Sequence, residues 1–445
     1  MPDKPRQRLR KFACIIPHAT RRRILMLSEN GSWGLPAAQV GGPGLRNPTP
    51  KLREVLTACG MADMQVSLLR FARMSQELTI WQCQNDDPSW RPPAHGRWVD
   101  REQLNGLELA DPSVRSELQQ WFDEFDNPPA GRAPWECQGW WQEPMAWIRD
   151  QLPAEARPTV DRSEGGKVCS PWNYAVRIRT AGGSCFFKAV RSWNLYEPRL
   201  TQTLGRLFPG RTPVVIAANE EHGWLLMRDF GRHLKESGED PDVLRGAVRR
   251  FAELQIESLQ HLDAVAAAGC PDLRGEELAE LDVLFGKIAE ALDNSVDPGH
   301  AAARQRVPRC LEAARSVVSE VRSFGIPHTL VHGDFTWINI ARGDGADEYV
   351  YFDWGGSCIS HPLLCMAKFA CHCDQWREVI GAYLAAWRAY GSTEELMAAF
   401  ELSRRLNRIN TVREYVQLRP GFETWLERRV LNWIADLVGE IAVES

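Results

Sequence analysis

The sequence predicts a protein of the α+β class, in which a small α/β unit precedes two lobes, the first rich in strands and the second in helices. Between residues 174 and 231 the apolar residues alternate as in half-buried strands, whereas beyond Gly231 they recur at helical spacing. Strands followed by helices are typical of α+β proteins. A chain of 445 residues is also longer than one hydrophobic core usually supports, so several domains are expected.

The front unit, residues 9–126, combines strands with one helix. The apolar runs FACIIP and ILML flank the basic segment HATRRR, a pattern that predicts a hairpin, and further strands are predicted in MQVSLLRFAR and ELTIWQCQ. The segment TPKLREVLTACG predicts a helix, with Thr49 as its N-cap, Pro50 at its first position and Gly60 at its end.

A break is expected at NPPAGRAPWECQG, because its Pro and Gly content does not allow a continuous helix or strand. The following QEPMAWIRDQL has the apolar spacing of a short helix, so residues 127–157 are interpreted as a linker with a Trp-rich helix. Four of the 18 Trp residues lie here, namely Trp135, Trp140, Trp141 and Trp147. Because Trp is a large packing residue, we favour a packing role over ligand stacking.

The first lobe, residues 158–232, is predicted from four strands and a helix. YAVRIR and CFFKAV are strands joined by the turn AGGS, and PVVIAA and GWLLMRDFG are the other two. Between the pairs, EPRLTQTLGRLF predicts an amphipathic helix that Pro209 and Gly210 end.

The second lobe, residues 233–445, is predicted to be mainly helical. One long helix is expected from Pro241 to Gly269, and further helices within 276–322 and 374–443. Only two short apolar strands interrupt this pattern, in LVHGDFTWINIA and YVYFDWGG. The turn RGDGADE between them predicts a hairpin.

The bulk composition excludes several classes of function. With a net charge of −5 and a pI of about 6.1, the chain has no global basic field to recruit nucleic acid or an anionic membrane. Twelve Cys without a CxxC pair are typical of a reduced compartment. The apolar stretch after the basic N-terminus is too short for a signal peptide, and none approaches the ~20 apolar residues of a membrane span. We therefore expect a cytoplasmic protein.

Isolated polar residues in apolar surroundings indicate a functional site. Lys188 lies within the strand FFKAV, where an ammonium is costly to bury without a partner, and Glu197 at the start of the next helix could supply one. Asp353 ends another apolar strand. Buried carboxylates likewise require a partner or a metal.

A second group of polar residues follows the strand that ends at Val331. His332, Asp334 and Asn339 lie within eight residues, and the predicted hairpin would bring Asn339 and Asp353 beside Asp334. A carboxylate and an amide oxygen are ligands that suit Mg²⁺, and a second carboxylate can accept the proton of an attacking hydroxyl. Such a set meets the needs of phosphoryl transfer.

These motifs, HGDFTWIN followed by YFDWG, resemble the HGDxxxxN and DxG motifs of the aminoglycoside phosphotransferase family, whose members are kinase-like enzymes that phosphorylate small molecules. The resemblance covers residues 160–440 and also includes FFKAV, YEPRLTQTL and GWLLMRDFG. It implies a two-lobed protein-kinase-like fold that binds ATP and Mg²⁺.

The resemblance also implies roles for individual residues. Asp334, with His332 beside it, is assigned to catalysis as the general base, and Asn339 and Asp353 are assigned to the metal. Lys188 is expected to contact nucleotide phosphates and to pair with Glu197. The remaining assigned nucleotide contacts are Met227 and Asp229 in the hinge and Gly165 and Gly166 in the phosphate loop.

Three features of the sequence bear on the resemblance. No GxGxxG loop precedes YAVRIR, as is usual in this family, and SEGGKVCSPWN offers only two adjacent Gly residues, which leaves the phosphate loop open. Pro198 places Glu197 at the very start of its helix, which weakens the expected pair with Lys188. Cys365 stands where relatives often have an acidic residue. Cys371 and Cys373 flank a His, but no second ligand pair at zinc spacing accompanies them.

The front unit resembles the Nudix box, in which a helix with several Glu residues binds the catalytic metal. Trp33, Leu35, Pro36, Arg53, Glu54 and Gly60 match its pattern. The two metal-binding Glu of the family fall on Thr57 and Ala58, which cannot hold a cation. We expect a Nudix-like fold that has lost hydrolase activity; an unrelated α/β unit is the alternative.

Two other functions compete with phosphotransfer. The protein could be a catalytically silent regulatory module that binds nucleotides, an interpretation that the degenerate Nudix box favours. Residual Nudix hydrolysis through Glu54 alone is the less favoured alternative. The expected partners are a nucleotide and a small hydroxylated acceptor, without nucleic acid or membrane. A homo-oligomer, the choice between ATP and GTP, and the identity of the acceptor stay open.

Overall fold

A computed structural model describes residues 10–29, 31–41, 48–74, 77–125, 127–161, 167–170, 172–234, 240–274, 277–295, 297–343, 345, 347–418 and 430–438. The chain divides into two compact units. The first comprises the chain up to Leu152 together with Val160–Val176, and the second comprises Pro153–Thr159 and the chain from Arg177 onward. The segment interpreted as a linker therefore belongs to the first unit as far as Leu152.

The first unit contains two sheets and four helices within the described residues. In chain order its elements are β1 (Arg10–Ile15), β2 (Ile24–Glu29), β3 (Ser32–Gly34), β4 (Ala37–Val40), α1 (Pro48–Ala58), β5 (Val66–Met74), β6 (Leu78–Asn85), β7 (Gly96–Val99), α2 (Arg101–Asn105), α3 (Arg115–Glu124) and α4 (Gln142–Gln151). One sheet has the order β4-β1-β6-β5, with β1 and β6 parallel, and the other the order β3-β2-β7.

The central strand β1 is buried on both faces. Phe12 and Cys14 enter one core cluster, whereas Ala13 and Ile15 enter another on the opposite face. A strand covered on both faces has a continuous apolar run instead of an alternating one. The hairpin predicted around HATRRR is wrong, because the two segments do not form a ladder of paired strands. β1 and β2 lie in different sheets, and only the bridge between Pro17 and Ile24 joins the two segments.

The Trp-rich segment packs within the first unit. Trp135 is 1% exposed, and its indole N–H donates to the carbonyl oxygen of Ser170 at 2.8 Å. Trp140 and Trp141 lie with their ring centroids 5.3 Å and 5.4 Å from that of Tyr174. These contacts agree with the packing role expected for this segment.

Strands also surround the boundary between the two units. The boundary falls inside the short strand β8 (Thr159–Val160) and again inside β10 (Asn173–Thr180), while β9 (Lys167–Cys169) belongs to the first unit. The first lobe continues with β11 (Gly183–Val190), α5 (Glu197–Leu207), β12 (Val215–Asn219) and β13 (Trp224–Arg228). Its sheet has the order β12-β13-β11-β10, so β11 is an inner strand.

The second lobe is mainly helical. Its elements are β14 (Arg232–His233), α6 (Pro241–Ser258), α7 (Leu262–Ala267), α8 (Glu277–Asp293), α9 (Pro298–Ser323), β15 (Thr329–Val331), β16 (Ile340–Arg342), β17 (Tyr349–Tyr351), β18 (Cys358–Ser360), α10 (Leu364–Ala370), α11 (Trp376–Ala386) and α12 (Thr393–Leu418), with a further helical segment over 430–438. The predicted hairpin is confirmed, since Ile340 pairs with Tyr351 across β16 and β17.

The single long helix expected from Pro241 to Gly269 is wrong, because the chain turns between α6 and α7. Ser258, the last residue of α6, forms side-chain hydrogen bonds to the backbone, which can compete with helical hydrogen bonding. Its hydroxyl donates to the carbonyl oxygen of Gln255 and accepts the N–H of Leu330 at 3.1 Å. The end of α6 is thereby tied to β15, the strand that leads into the HGD motif.

None of the helices in the described part of the chain combines the length and apolarity that a bilayer crossing requires.

Candidate active site

Lys188 lies at the centre of a buried ion-pair cluster. It is in β11, opposite Leu225 of β13, and is 5% exposed. Its ammonium contacts Oε1 of Glu197, the first residue of α5, and Oδ1 of Asp353 at 2.6 Å. The expected pair with Glu197 is therefore present, although Pro198 follows it. Asp353 adds a second carboxylate, so one cation of the first lobe is shared by two anions.

The three charges shift one another's titration. Burial lowers the pKa of Lys188, but Asp353 and Glu197 outweigh it and hold the pKa above its ordinary value. Burial raises the pKa of Asp353, but the ammonium of Lys188 outweighs it, so the pKa lies below its ordinary value. Burial raises the pKa of Glu197, which is 1% exposed, and Lys188 only partly opposes this effect.

Asp353 has an unusual backbone conformation. It follows β17 with φ 70° and ψ 60°, the left-handed region that non-glycine residues seldom occupy. The next residue, Trp354, is fully buried, and its indole N–H donates to the carbonyl oxygen of Tyr351 at 2.8 Å. The Asp353 side chain nevertheless stays 32% exposed. Rigid packing on both sides thus turns this carboxylate toward solvent and Lys188.

The HGD motif forms a loop after β15 in which Asp334 and Asn339 are in contact. The amide nitrogen of Asn339 donates to Oδ2 of Asp334 at 3.1 Å and to its carbonyl oxygen at 2.9 Å. Asp334 is 46% exposed in its side chain, whereas Asn339 is buried. Since the Asn339 nitrogen faces Asp334, its side-chain oxygen is the atom left to bind a cation.

The peptide groups of Phe352 join this loop to the segment of Asp353. The N–H of Phe352 donates to the carbonyl oxygen of Asn339 at 3.1 Å, and its carbonyl oxygen accepts from Nε2 of His332 at 2.9 Å. Gly333 has φ 78°, and a Cβ at this position would collide with the carbonyl oxygen of Gly356. The structure thus brings Lys188, Glu197 and Asp353 together, and links Asp334 and Asn339 to them.

His332 differs from its assignment as a catalytic residue. It is fully buried, and its Nδ1 has no hydrogen-bond partner among the described residues. Burial lowers its pKa, so the ring is neutral and donates from Nε2 to the backbone. The ring centroid lies 4.6 Å from that of Trp354. We therefore revise the assignment: His332 positions the backbone before Asp353 and is not placed to exchange protons with a substrate.

The hinge residues occupy two different environments. Met227 is 6% exposed within β13, between Phe186 of β11 and Val215 of β12 in the ladder. Asp229 accepts hydrogen bonds from the Ser184 hydroxyl and from the N–H of Gly231, the latter at 3.1 Å. Its carboxylate is thus engaged in holding the hinge. The assigned Gly165 and Gly166 lie outside the described residues.

Two residues of α10 touch the HGD loop, and their roles were not predicted. The sulfur of Cys365 accepts the N–H of His332 at 3.3 Å, and burial raises the pKa of this thiol to about 12, so it stays neutral. Lys368 lies with its ammonium 3.5 Å from Oδ1 of Asp334. A lone Lys in the apolar run LLCMAKFA was the available signal for the second contact.

Four rings that the sequence reasoning missed cluster beside Asp353. Phe230 lies 4.8 Å from Phe186 and 4.7 Å from Phe352 between ring centroids, and His233 lies 4.7 Å from Phe352. All four residues are partly exposed. Aromatic faces of this kind can stack on a flat heterocycle.

No protein-family model matches the sequence, and no curated protein matches it. Solved structures do match. An ethanolamine kinase from Plasmodium vivax superimposes with a TM-score of 0.52 at 11% identity, over 76% of this chain and 97% of that one. The chain has a kinase-like fold.

Two further neighbours are weaker. The GDP complex of an aminoglycoside 2′-phosphotransferase has a TM-score of 0.46 at 17% identity, over 68% of this chain and 98% of that one. An amicoumacin kinase bound to AMP-PNP and Ca²⁺ has a TM-score of 0.44 at 14% identity, over 68% and 94%. The likeness to the ethanolamine kinase confirms the kinase-like fold implied by the sequence, whereas the Nudix-like fold of the first unit stays a prediction.

Replacing Lys188 should leave the buried carboxylate of Glu197 and the partly exposed carboxylate of Asp353 without their cation. We expect Lys188→Met to lower the free energy of unfolding by about 3 kcal/mol at pH 8. The deficit should shrink toward pH 5. Burial raises the folded-state pKa of Glu197, so the protonated form of this residue stabilises the fold. That contribution to stability is lost as the pH rises. Chemical denaturation at both pH values measures the effect.

Lys287→Met, at an exposed position, is the matched control. A loss of stability in Lys188→Met that is equal at both pH values would contradict the account.

The neutral state of His332 can be observed directly. Because burial lowers its pKa, the ring nitrogens should titrate with a midpoint below the ordinary value of 6.5. Nitrogen-15 NMR of the imidazole, assigned with a His332→Asn variant, measures this midpoint. A midpoint at or above 6.5 would show that the ring is not desolvated as described.

Proposed function

We propose that the second unit is a phosphotransferase that uses ATP and Mg²⁺ to phosphorylate a hydroxyl group of a small molecule. The observation that carries the proposal is one connected set of five side chains. Glu197 and Asp353 share the ammonium of Lys188, the Phe352 peptide links Asp353 to Asn339, and Asn339 holds Asp334. The likeness in fold to a protein named as an ethanolamine kinase supports the same chemistry.

The oxygen atoms present fit a magnesium ion. Asp353 offers a carboxylate that is 32% exposed, and Asn339 offers its amide oxygen. Among the described residues no three His, Cys, Asp or Glu side chains cluster as ligands, so the protein alone does not form a full cage. Mg²⁺ suits such a partial set, because it commonly keeps water and phosphate oxygens as its other ligands. When bound, the ion would neutralise phosphate charge.

The cluster around Lys188 is suited to nucleotide phosphates. Lys188 stays protonated because two carboxylates raise its pKa, so it offers a permanent positive charge from a rigid inner strand. Met227 lies in β13 just before the hinge, and Asp229 holds that hinge through Ser184 and Gly231. The half-exposed rings of Phe186, Phe230 and Phe352 would contact the base.

Asp334 is the general base in this proposal. Its carboxylate is 46% exposed, and one oxygen is fixed by Asn339, so the other can receive an acceptor hydroxyl. Asp334 takes the hydroxyl proton as the acceptor oxygen bonds to the γ-phosphorus, while the bond between that phosphorus and the β,γ-bridging oxygen breaks and ADP leaves. Orientation and charge neutralisation supply most of such a rate enhancement.

Removing the base should stop the reaction without preventing nucleotide binding. We expect Asp334→Asn to lower kcat by about 10²–10⁴-fold, the usual contribution of a positioned general base. The measurement is coupled ADP release with a panel of sugars, amino alcohols and hydroxy acids, together with calorimetric binding of Mg²⁺–ATP. The fully exposed Asp263→Asn is the matched control.

Turnover that survives the loss of the Asp334 carboxylate would contradict this assignment. Tight binding of Mg²⁺–ATP by the wild-type chain with no phosphoryl transfer to any acceptor would instead favour the silent nucleotide-binding module.

For the first unit, we propose a Nudix-like domain without hydrolase chemistry. A mixed sheet with a parallel central pair and the adjoining helix α1 support this fold. On the exposed side of α1, Glu54 is followed one turn later by Thr57 and Ala58. The Thr57 hydroxyl donates to the carbonyl oxygen of Arg53 at 2.9 Å, so it does not replace a carboxylate. One Glu alone does not assemble the metal site of a hydrolase.

The loss of hydrolase chemistry predicts that Glu54 is dispensable. Glu54→Gln should leave both phosphotransfer and stability within error of the wild type, since the residue is exposed and no second carboxylate stands at positions 57 and 58. Release of phosphate from nucleoside diphosphate derivatives is the assay. Cleavage by the wild type that disappears in Glu54→Gln but persists in Asp334→Asn would reveal residual Nudix activity.

A further inference from the structure

Lys368 places a positive charge directly beside the proposed general base. It is the one charged residue of α10, whose Leu364, Cys365, Met366, Ala367 and Phe369 are buried. The helix is therefore fixed in the core, and Lys368 leaves it on the side of the HGD loop. Its ammonium lies 3.5 Å from Oδ1 of Asp334, and its side chain is 18% exposed.

The two oxygens of Asp334 have different neighbours. Oδ2 accepts from the Asn339 amide at 3.1 Å, whereas Oδ1 faces the ammonium of Lys368. Asn339 already occupies one acceptor position of Oδ2, so we infer that an acceptor hydroxyl reaches Asp334 at Oδ1, on the side of Lys368. A group attached to the carbon next to that hydroxyl would then lie within a few ångströms of Lys368.

Two apolar residues of the same loop lie next to Asn339 in the chain. Ile338 is 42% exposed, an unusual state for a large aliphatic side chain, and it directly precedes Asn339. Trp337 is half-buried, and its indole N–H donates to the carbonyl oxygen of His372 at 3.1 Å, which fixes the ring. Both of these side chains are uncharged.

We propose that Lys368 determines the class of acceptor. The acceptor has a carboxylate or phosphate group next to the hydroxyl that is phosphorylated, and amino alcohols and amino sugars are poor acceptors. This inference rests on the proposed phosphotransferase function. An ammonium attracts an anion and repels a cation at such distances, and partial exposure of Asp334 weakens both effects without removing them.

The test compares acceptors that have hydroxyl groups in common but differ in charge. The first series is ethanolamine, ethylene glycol and glycolate. The second series is glucosamine, glucose and glucuronate. Each compound is assayed with the full chain, ATP and Mg²⁺. We expect kcat/KM of the wild type to be at least about tenfold higher for the anionic member than for the cationic one. Lys368→Glu should reverse this order, Lys368→Met should flatten it, and Lys368→Arg should keep it.

Lys287→Glu, an exposed change of the same charge on α8, is the matched control and should keep the wild-type order. Two results would overturn this inference and leave the proposed function standing. One is turnover that depends on Asp334 but is faster with the cationic acceptor of each series. The other is an order of acceptor preference that Lys368→Glu and Lys368→Met leave unchanged. Phosphorylation of no member of either series by the wild type would overturn both.

Discussion

The ammonium of Lys188 is the group on which the rest of the site depends. A cation that is 5% exposed is tolerated in a protein interior only with strong partners, and here they come from two different elements. Glu197 opens α5 of the first lobe, whereas Asp353 follows β17 of the second. One ion-pair cluster therefore joins the two lobes, at the point where we propose that nucleotide phosphates bind. Structural stability and a fixed positive charge arise from the same contacts.

The second constraint is the Phe352 backbone, because its N–H and its carbonyl oxygen both bind the HGD loop. His332 donates to the carbonyl oxygen of Phe352 as a buried, neutral ring. Only glycine fits at position 333, where the backbone passes Gly356. The left-handed conformation of Asp353 persists because Trp354 and the Phe352 peptide restrain the residues around it. Rigid supports of this kind keep the carboxylates in place before a ligand arrives.

Much of the candidate site could be predicted from the sequence. A single charged residue in an apolar strand is costly to bury unless it is paired, and this rule identified Lys188 and Asp353. The hairpin that connects Asn339 to Asp353 also followed from its turn residues. Other features depend on tertiary contacts that no local pattern contains. The hydroxyl of Ser258, the last residue of α6, binds the backbone of Leu330, and β1 contacts a different core cluster on each face. The motif did not distinguish the positioning role of His332 from a catalytic one, and Lys368 comes from a distant helix.

The most direct test of the central claim is a crystal structure of the full chain with Mg²⁺ and a non-hydrolysable ATP analogue. The account predicts that the α- and β-phosphates contact Lys188 while Glu197 keeps its ion pair, and that Asp353 and Asn339 bind the metal. Asp334 should face the γ-phosphate. A nucleotide bound elsewhere, or phosphates that lie beyond reach of Lys188 and Asp353, would contradict it.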